Sequence, residues 1–273
     1  EWRVHAMTRE AKKGRAWNFS LKNRLWQRFY HQPRFRWSIR TADGIHAVCR
    51  DVWAVLQLKY NVDSDRVAYI PSGVEPRFFI PRQYKAGEPP RLLYAGTWLD
   101  QRGIFYIRDA LKKVRMQLSG LEMTFAGCGV PSETINEFFG PELEGCIEIR
   151  PTVPAGGMQE LYAEHDIFLF PSLMEALPLV IQEAMATGMP VITTETCGMP
   201  DLIQHEVNGL LVPPANAAAI EESILRLAHS VELRQKLGEA ARETMKRHTW
   251  ERAARQLEAL YQHVLALEAR SRP

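Results

Sequence analysis

The chain has 273 residues, 46% hydrophobic and 24% charged, which is enough apolar material for one large domain or two small ones. No run of about 18 apolar residues is present, so no transmembrane helix is predicted, and the four cysteines lack the spacing of a metal site, so we expect reduced, buried thiols. The net charge of +2 hides an asymmetry, because residues 1–40 carry eleven Lys and Arg against only Glu1 and Glu10.

The basic segment, residues 1–40, is predicted to be helical and irregular, with a break at Gln32-Pro33. It also carries many aromatic side chains: Trp2, Trp17, Phe19, Trp26, Phe29, Tyr30, Phe35 and Trp37. Such a mixture is found in helices that lie on an anionic membrane surface and in segments that follow a nucleic-acid backbone. It is also found where the aromatics belong to a core that extends further. The core and membrane interpretations stay open, and we expect no nucleic-acid partner.

The remaining chain alternates between apolar strands and helices. A strand at 44–48, a helix to about Tyr60 and a strand at 67–70 precede residues 75–90, whose prolines and glycine predict a linker. Further strands are predicted at 92–95, 122–126, 146–149, 166–170, 191–194 and 210–212. Helices are predicted near 102–116, 132–139, 156–164, 178–187, 198–205, 216–229 and 251–269. Strands that alternate with helices in this way predict an α/β fold with a doubly wound parallel sheet.

Two carboxylates, Glu175 and Glu183, stand eight residues apart around the predicted start of a buried helix. Pro178 suits the first turn of that helix. This places Glu175 in the loop after strand 166–170 and Glu183 about one and a half turns into the helix. A helix N-terminus in the crevice at this edge of a sheet can bind phosphate, so the two carboxylates could hold hydroxyls on either side of a diphosphate. The spacing suggests a nucleotide-sugar ligand.

Several segments together carry a family resemblance. They are Ile70–Glu75, Leu92–Gly96, Met123–Gly127, Tyr162–Ser172, Glu175–Val191, Gly198–Ile203, Asn208–Pro213 and Thr249–Arg252. Over roughly residues 41–262 the chain resembles the donor half of retaining GT-B glycosyltransferases of the family 4 type. The resemblance implies a Rossmann-like GT-B fold, truncated at its N-terminus. Its implied parts are a remnant of the acceptor-side domain (1–74), the linker (75–90), a nucleotide-sugar-binding domain (91–245) and a helix returning to the N-terminal domain (246–273).

The resemblance implies an enzyme that moves a hexosyl unit from a UDP- or GDP-sugar to a glycan, lipid-linked or other acceptor, with retention of configuration. Neither a metal nor a further cofactor is implied. Glu175 would contact the donor sugar, Glu183 would hydrogen-bond to the ribose, and Arg102 would hold the diphosphate. The other implied donor-binding residues are Gly96, Thr97, Pro151, Thr152, Val153, Leu177, Pro178 and Leu179.

The chain departs from the family pattern at Thr97, where the family has a phosphate-binding arginine, so half of the positive clamp is absent or supplied elsewhere. Two alternatives stay open. The chain could be a nucleotide-sugar-binding module without turnover, because the acceptor half is not expected in it. It could also perform another GT-B reaction, such as epimerisation or phosphorolysis. We expect a cytoplasmic protein, either free or peripheral on the inner face of the membrane.

Overall fold

The computed structural model describes residues 32–86, 88–154 and 156–271. Most of the basic segment, including the helices predicted before residue 32, lies outside the described residues. Within the described residues, no helix combines the length and apolarity needed to cross a bilayer. The described chain forms two compact units: one contains the chain up to Ser72 and again from Trp250, and the other spans Gly73–Thr249. The roles predicted for the segments 1–74, 75–90, 91–245 and 246–273 stay predictions.

The helices and strands follow one another along the chain as the alternating pattern predicts. In order they are α1 (Gln32–Thr41), β1 (Ile45–Ala47), α2 (Arg50–Tyr60), β2 (Val67–Tyr69), β3 (Arg91–Ala95), α3 (Ile104–Gln117), β4 (Glu122–Ala126), α4 (Ser132–Phe139), β5 (Ile147–Arg150), α5 (Met158–Glu164), β6 (Ile167–Phe170), α6 (Leu179–Ala186), β7 (Val191–Thr194), α7 (Met199–Leu202), β8 (Leu210–Val212), α8 (Ala217–His229), α9 (Val231–Met245) and α10 (Trp250–Ser271).

The first unit contains a small parallel pair of strands, β1 and β2, in which Ile45 lies opposite Val67. Its own core is formed by Ile39, Ala47, Leu56, Val62 and Val67. Helix α2 ends at Asn61, which adopts the left-handed conformation that asparagine tolerates at helix ends.

The second unit is built on a six-stranded parallel sheet with the strand order β5-β4-β3-β6-β7-β8. This order confirms the predicted doubly wound sheet, because the chain moves outward from β3 in one direction and from β6 in the other. Every residue of β6 and of β7 is buried, as expected for strands covered by helices on both faces. The switch between the two directions lies between β3 and β6. In such sheets, the carboxyl ends of the strands at this point form the ligand crevice.

Several element boundaries differ from the prediction, and two of these differences concern α7 and α6. Helix α7 ends at Leu202, although the pattern predicts a helix to residue 205. It stops because the Gln204 N–H donates to the side chain of Asn208 (2.7 Å) and so leaves the helical pattern. Pro178 is the N-cap residue of α6 rather than a member of its first turn.

Residues 75–86, which we call the strap, are held within the second unit by hydrogen bonds from partly or fully buried side chains. Arg82 donates hydrogen bonds to the carbonyl oxygens of Thr187 (3.1 Å), His165 (2.8 Å) and Tyr162. Three further side chains make bonds of the same kind: Tyr84 to Gly188, Arg234 to Lys85, and Arg242 to Phe79 and Ile80. The strap is therefore an ordered part of this unit despite its composition.

Candidate active site

The candidate site lies at the switch point, where β3 and β6 end side by side. The two strands pair in parallel, with Leu93 opposite Phe168, so the residues that follow each strand emerge at the same edge. After β3, Gly96 continues the sheet hydrogen bonds by donating to Ala126 O (3.0 Å). The exposed Thr97 follows, and its carbonyl oxygen accepts a hydrogen bond from the Tyr94 hydroxyl (3.0 Å).

The loops that follow β3 and β6 touch at Gly103. This residue has a φ of +79°, and a Cβ at its position would lie only 2.2 Å from the carbonyl oxygen of Pro171. The contact is reinforced at Gln101, whose carbonyl oxygen accepts from Leu173 N (2.8 Å) and from the Ser172 hydroxyl (3.1 Å). A glycine is thus required twice, for its backbone conformation and for the close approach. The approach brings the Asp100–Arg102 turn against the loop that carries Glu175.

Arg102 and Glu175 form an ion pair across these two loops. Their side chains are 19% and 21% exposed, so the pair is partly sheltered from solvent. The guanidinium carbon of Arg102 also lies 5.3 Å from the ring centroid of Phe170, which is a cation–π contact. Within the described residues, the buried Arg102 Nε has no hydrogen-bond partner. The structure therefore brings together the two residues that the resemblance assigns to diphosphate and sugar.

The Glu175 loop is anchored to the end of β7 by hydroxyl groups. Thr193 donates to Phe170 O (2.7 Å), and Thr194 donates to the carbonyl oxygen of Ser172. Further along, Gly198 N donates to the Glu175 carbonyl oxygen (3.4 Å). The loop is thus bonded both before Glu175 and at Glu175 itself. The two threonines lie on β7, which is buried and therefore a firm anchor.

Helix α6 starts directly after this loop and carries Glu183. Pro178 is buried, Leu177 is buried, and Leu179 is 46% exposed. No side chain caps this helix, so its first N–H groups are available as donors, except that Pro178 has none. The predicted set Leu177, Pro178 and Leu179 thus surrounds a helix N-terminus that follows the Glu175 loop.

Glu183 is a half-buried carboxylate whose Oε2 accepts a hydrogen bond from the Tyr162 hydroxyl (2.9 Å). Burial raises the pKa of Glu183, while the bond from Tyr162 and the positive charge of Arg77 act to lower it and Glu75 acts to raise it. Burial also raises the pKa of Tyr162 well above its usual value, so the phenol is a neutral donor.

A cavity of about 390 Å³ lies beside the end of β5. Thr152 and Val153 line it together with Arg150, Pro154, Gly156, Gly157, Glu160 and Leu161. Pro151 is not among the lining residues, and its carbonyl oxygen lies 3.4 Å from Gly129 N, which donates to it. Of the implied donor-binding residues Pro151, Thr152 and Val153, the last two thus face a concave site.

Sequence reasoning assigned no role to three residues that shape this site. Tyr162 lies inside a recognised motif, but a tyrosine in an apolar helix also fits a core residue. Ser172 ends the same motif and Gly103 follows Arg102, but neither position indicates a contact between the two loops. Their contacts join residues about 70 positions apart, which no local pattern reveals.

Comparison with known proteins gives one family match. The family described as glycosyl transferases group 1 matches residues 77–244. The amylovoran biosynthesis glycosyltransferase AmsK of Erwinia amylovora is 28% identical over 65% of this chain and 46% of its own length. The sulfoquinovosyl transferase SQD2 of Arabidopsis thaliana is 30% identical over 66% of this chain and 37% of its own. The chain therefore spans about half, or less, of the length of these relatives.

Two solved structures illustrate the similarity of fold. Sucrose-phosphate synthase from Thermosynechococcus elongatus superposes with a TM-score of 0.75 at 23% identity, over 88% of this chain and 64% of the other. Anabaena HepE in complex with UDP gives a TM-score of 0.74 at 15% identity, over 86% of this chain and 69% of the other. At these identities the likeness concerns the fold alone, and it confirms the predicted α/β fold of GT-B type.

Proposed function

Because the chain belongs to the glycosyl transferases group 1 family, we propose that it carries the donor site of a retaining, family 4-type glycosyltransferase. In this proposal a hexosyl unit moves from a UDP- or GDP-sugar to a glycan, lipid-linked or other acceptor. The supporting observation is the ion pair of Arg102 and Glu175 at the switch point of the sheet. Opposite charges at this position match a ligand that presents phosphate beside sugar hydroxyls.

Arg102 would bind the diphosphate of the donor. A guanidinium offers two parallel N–H groups to phosphate oxygens, and it would stabilise the negative charge that grows as the sugar–phosphate bond breaks. The uncapped N-terminus of α6 would add backbone N–H donors to the same group. We propose that these protein groups act without a metal ion or a further cofactor, as the family resemblance implies.

The two carboxylates would bind hydroxyl groups on either side of the diphosphate. When the diphosphate replaces Glu175 as the ion-pair partner of Arg102, the Glu175 carboxylate can accept hydrogen bonds from the hydroxyls of the sugar. Glu183, which follows on α6, would accept hydrogen bonds from the ribose hydroxyls. The cavity lined by Thr152 and Val153 would receive the base. The UDP bound to HepE supports UDP as one of the two candidate nucleotides.

For the acceptor, we propose a polysaccharide precursor or a lipid-linked glycan. The Erwinia amylovora relative is named for amylovoran biosynthesis, which supports an acceptor in glycan synthesis. A lipid-linked acceptor fits the surface of α1, where Arg36 and Arg40 are exposed and Trp37 is 68% exposed. Such a surface can lie on anionic lipid at the inner face of the membrane. Flotation with vesicles containing phosphatidylglycerol, compared with phosphatidylcholine alone, tests this point. Equal flotation with both would oppose it.

Isothermal titration with UDP and with GDP is the first test of the donor site. We expect one of the two nucleotides to bind and Glu183→Ala to weaken it by about tenfold or more. Glu222→Ala, which removes an exposed carboxylate on α8, should leave binding unchanged. If neither nucleotide binds, or if both variants behave alike, the proposed donor site is wrong.

A nucleotide-sugar-binding module without turnover is the second candidate, and Thr97, which stands where the family has a phosphate-binding arginine, favours it. Hydrolysis of the donor sugar separates the two. Release of free sugar from the donor, abolished by Glu175→Gln, supports the transferase. Nucleotide binding without release of sugar supports the module.

A further inference from the structure

We propose that Tyr162 is a positioning residue of the donor site, whose hydroxyl holds the Glu183 carboxylate in the orientation that receives the ribose. This inference rests on the proposed function, because ribose is the ligand concerned. It adds a residue that lies behind the site and touches no part of the donor itself.

Tyr162 is held more firmly than the carboxylate it contacts. Its side chain is fully buried, and its ring packs edge-on against Phe78 and Phe168, each with centroids 5.9 Å apart. Its own carbonyl oxygen accepts a hydrogen bond from Arg82, so the main chain is fixed as well. The hydroxyl therefore occupies one place, 2.9 Å from Glu183 Oε2.

Glu183, by contrast, has a flexible side chain on a half-exposed position of α6. In the part of the chain that the structure describes, Tyr162 is the one hydrogen-bond donor to its carboxylate. A carboxylate has two oxygens with about four acceptor positions in total. The bond from Tyr162 uses one position on Oε2 and fixes the plane of the group. The other oxygen then stays available for the two neighbouring hydroxyls of a ribose.

The bond also favours the charged form of the carboxylate. Burial raises the pKa of Glu183, and the Tyr162 hydroxyl opposes this shift by donating to the ionised group. Arg77 and Glu75, on the strap, act on the same carboxylate with opposite signs. Without the hydroxyl, Glu183 would take up a proton at higher pH and would then be a poorer acceptor for ribose hydroxyls.

A purely structural role for the hydroxyl is the alternative, because it also lies 3.2 Å from Val180 O and could simply satisfy a buried polar group. The two roles differ in what they predict for ligands that lack ribose hydroxyls. If the hydroxyl only stabilises the fold, removing it weakens the binding of all nucleotides equally. If it positions Glu183, removing it weakens only the binding of nucleotides that have ribose hydroxyls.

The experiment compares the nucleoside diphosphate that binds the wild type with its 2′,3′-dideoxy analogue, using Tyr162→Phe. We expect this variant to bind the natural nucleotide about fivefold more weakly and the dideoxy analogue as the wild type does. The loss should grow as the pH is lowered, because more of the Glu183 population is protonated in the variant. Tyr84→Phe is the matched control, since it removes a hydroxyl on the strap that donates to the carbonyl oxygen of Gly188 (2.7 Å). It should change neither affinity.

Suppose that Glu183→Ala weakens binding of the natural nucleotide. Equal losses of affinity for both nucleotides in Tyr162→Phe, or no loss for either, would then overturn the inference. If Glu183→Ala has no effect, the proposed function itself fails. Should Tyr162→Phe not fold, 3-fluorotyrosine placed at position 162 keeps the ring and makes the hydroxyl a stronger donor. Binding of the natural nucleotide should then persist to lower pH, and an unchanged pH profile would also overturn the inference.

Discussion

Arg102 and Glu175 neutralise each other at the carboxyl ends of β3 and β6, although the proposed function assigns them to different parts of the donor. If Arg102 binds the diphosphate as proposed, Glu175 competes with the diphosphate for the same guanidinium. Donor binding would then exchange a carboxylate partner for a phosphate partner. For a ligand that has phosphates and no sugar, removing the charge of Glu175 should therefore favour binding, whereas removing the charge of Arg102 should weaken it.

We predict that Glu175→Gln separates nucleotide binding from sugar chemistry. The amide keeps the size of the side chain but no longer pairs with Arg102 as a charge. UDP or GDP should bind as tightly as to the wild type or up to about fivefold more tightly, since one ion pair at a partly buried site corresponds to about 1 kcal/mol. Sugar release from the donor should fall by about 100-fold or more. Titration calorimetry and a donor hydrolysis assay provide the two readouts.

We predict the opposite for Arg102→Gln, which should weaken the nucleoside diphosphate by about tenfold to 100-fold and the nucleoside by much less. Arg108→Gln serves as the control, because Arg108 pairs with Asp109 on α3 (2.8 Å). It should leave both affinities unchanged. Equal weakening of diphosphate and nucleoside by Arg102→Gln would show that Arg102 supports the fold rather than the phosphate.

Gly103→Ala should disrupt nucleotide binding, because the added methyl group has no room between the two loops of the site. The added Cβ would meet Pro171 O at 2.2 Å, so the loops carrying Arg102 and Glu175 must separate. Gly129→Ala is a matched control, since Gly129 also has a positive φ (+69°) but nothing lies within 4 Å of its Cβ position. The control should lose about 1 kcal/mol of unfolding free energy from backbone strain alone, whereas Gly103→Ala should lose more and abolish nucleotide binding. Similar losses for both variants would contradict the close approach.

The sheet could be predicted from the sequence because its strands are continuous apolar runs, and Glu175 and Glu183 could be found from their position around one such run. The contact between Arg102 and Glu175 could not, since it depends on β3 and β6 lying side by side. The strap shows the same limit. The bonds that hold it come from partners 80 and 105 positions away along the chain, which no local pattern reveals.

Acid should destabilise the second unit through His165. This histidine is buried, with Nδ1 2.7 Å from Leu161 O and Nε2 2.7 Å from the Thr124 hydroxyl. Burial lowers the pKa of His165 below its ordinary value, so the unfolded chain binds the proton first as the pH falls. The free energy of unfolding should therefore decrease as the pH falls below about 6.5, with a slope of at most about 1.4 kcal/mol per pH unit from this one group.

Urea unfolding of the wild type and of His165→Gln across this pH range isolates the effect, because the other titrating groups are common to both proteins. The difference in unfolding free energy between the wild type and His165→Gln should become smaller as the pH falls. A difference for His165→Gln that does not change with pH would contradict the prediction.

The stability that the strap contributes should depend more on the burial of its hydrogen bonds than on their number. Arg82→Met would leave the carbonyl oxygens of Tyr162, His165 and Thr187 without their donor, and we expect it to lower the free energy of unfolding by about 3 kcal/mol or more. Arg115 also donates to two carbonyl oxygens, those of Glu142 (2.6 Å) and Glu144 (2.9 Å), but it is exposed. Water can replace its bonds, so Arg115→Met should lose less than about 1 kcal/mol. Urea unfolding at neutral pH measures both, and equal losses would mean that desolvation does not set the strength of the strap.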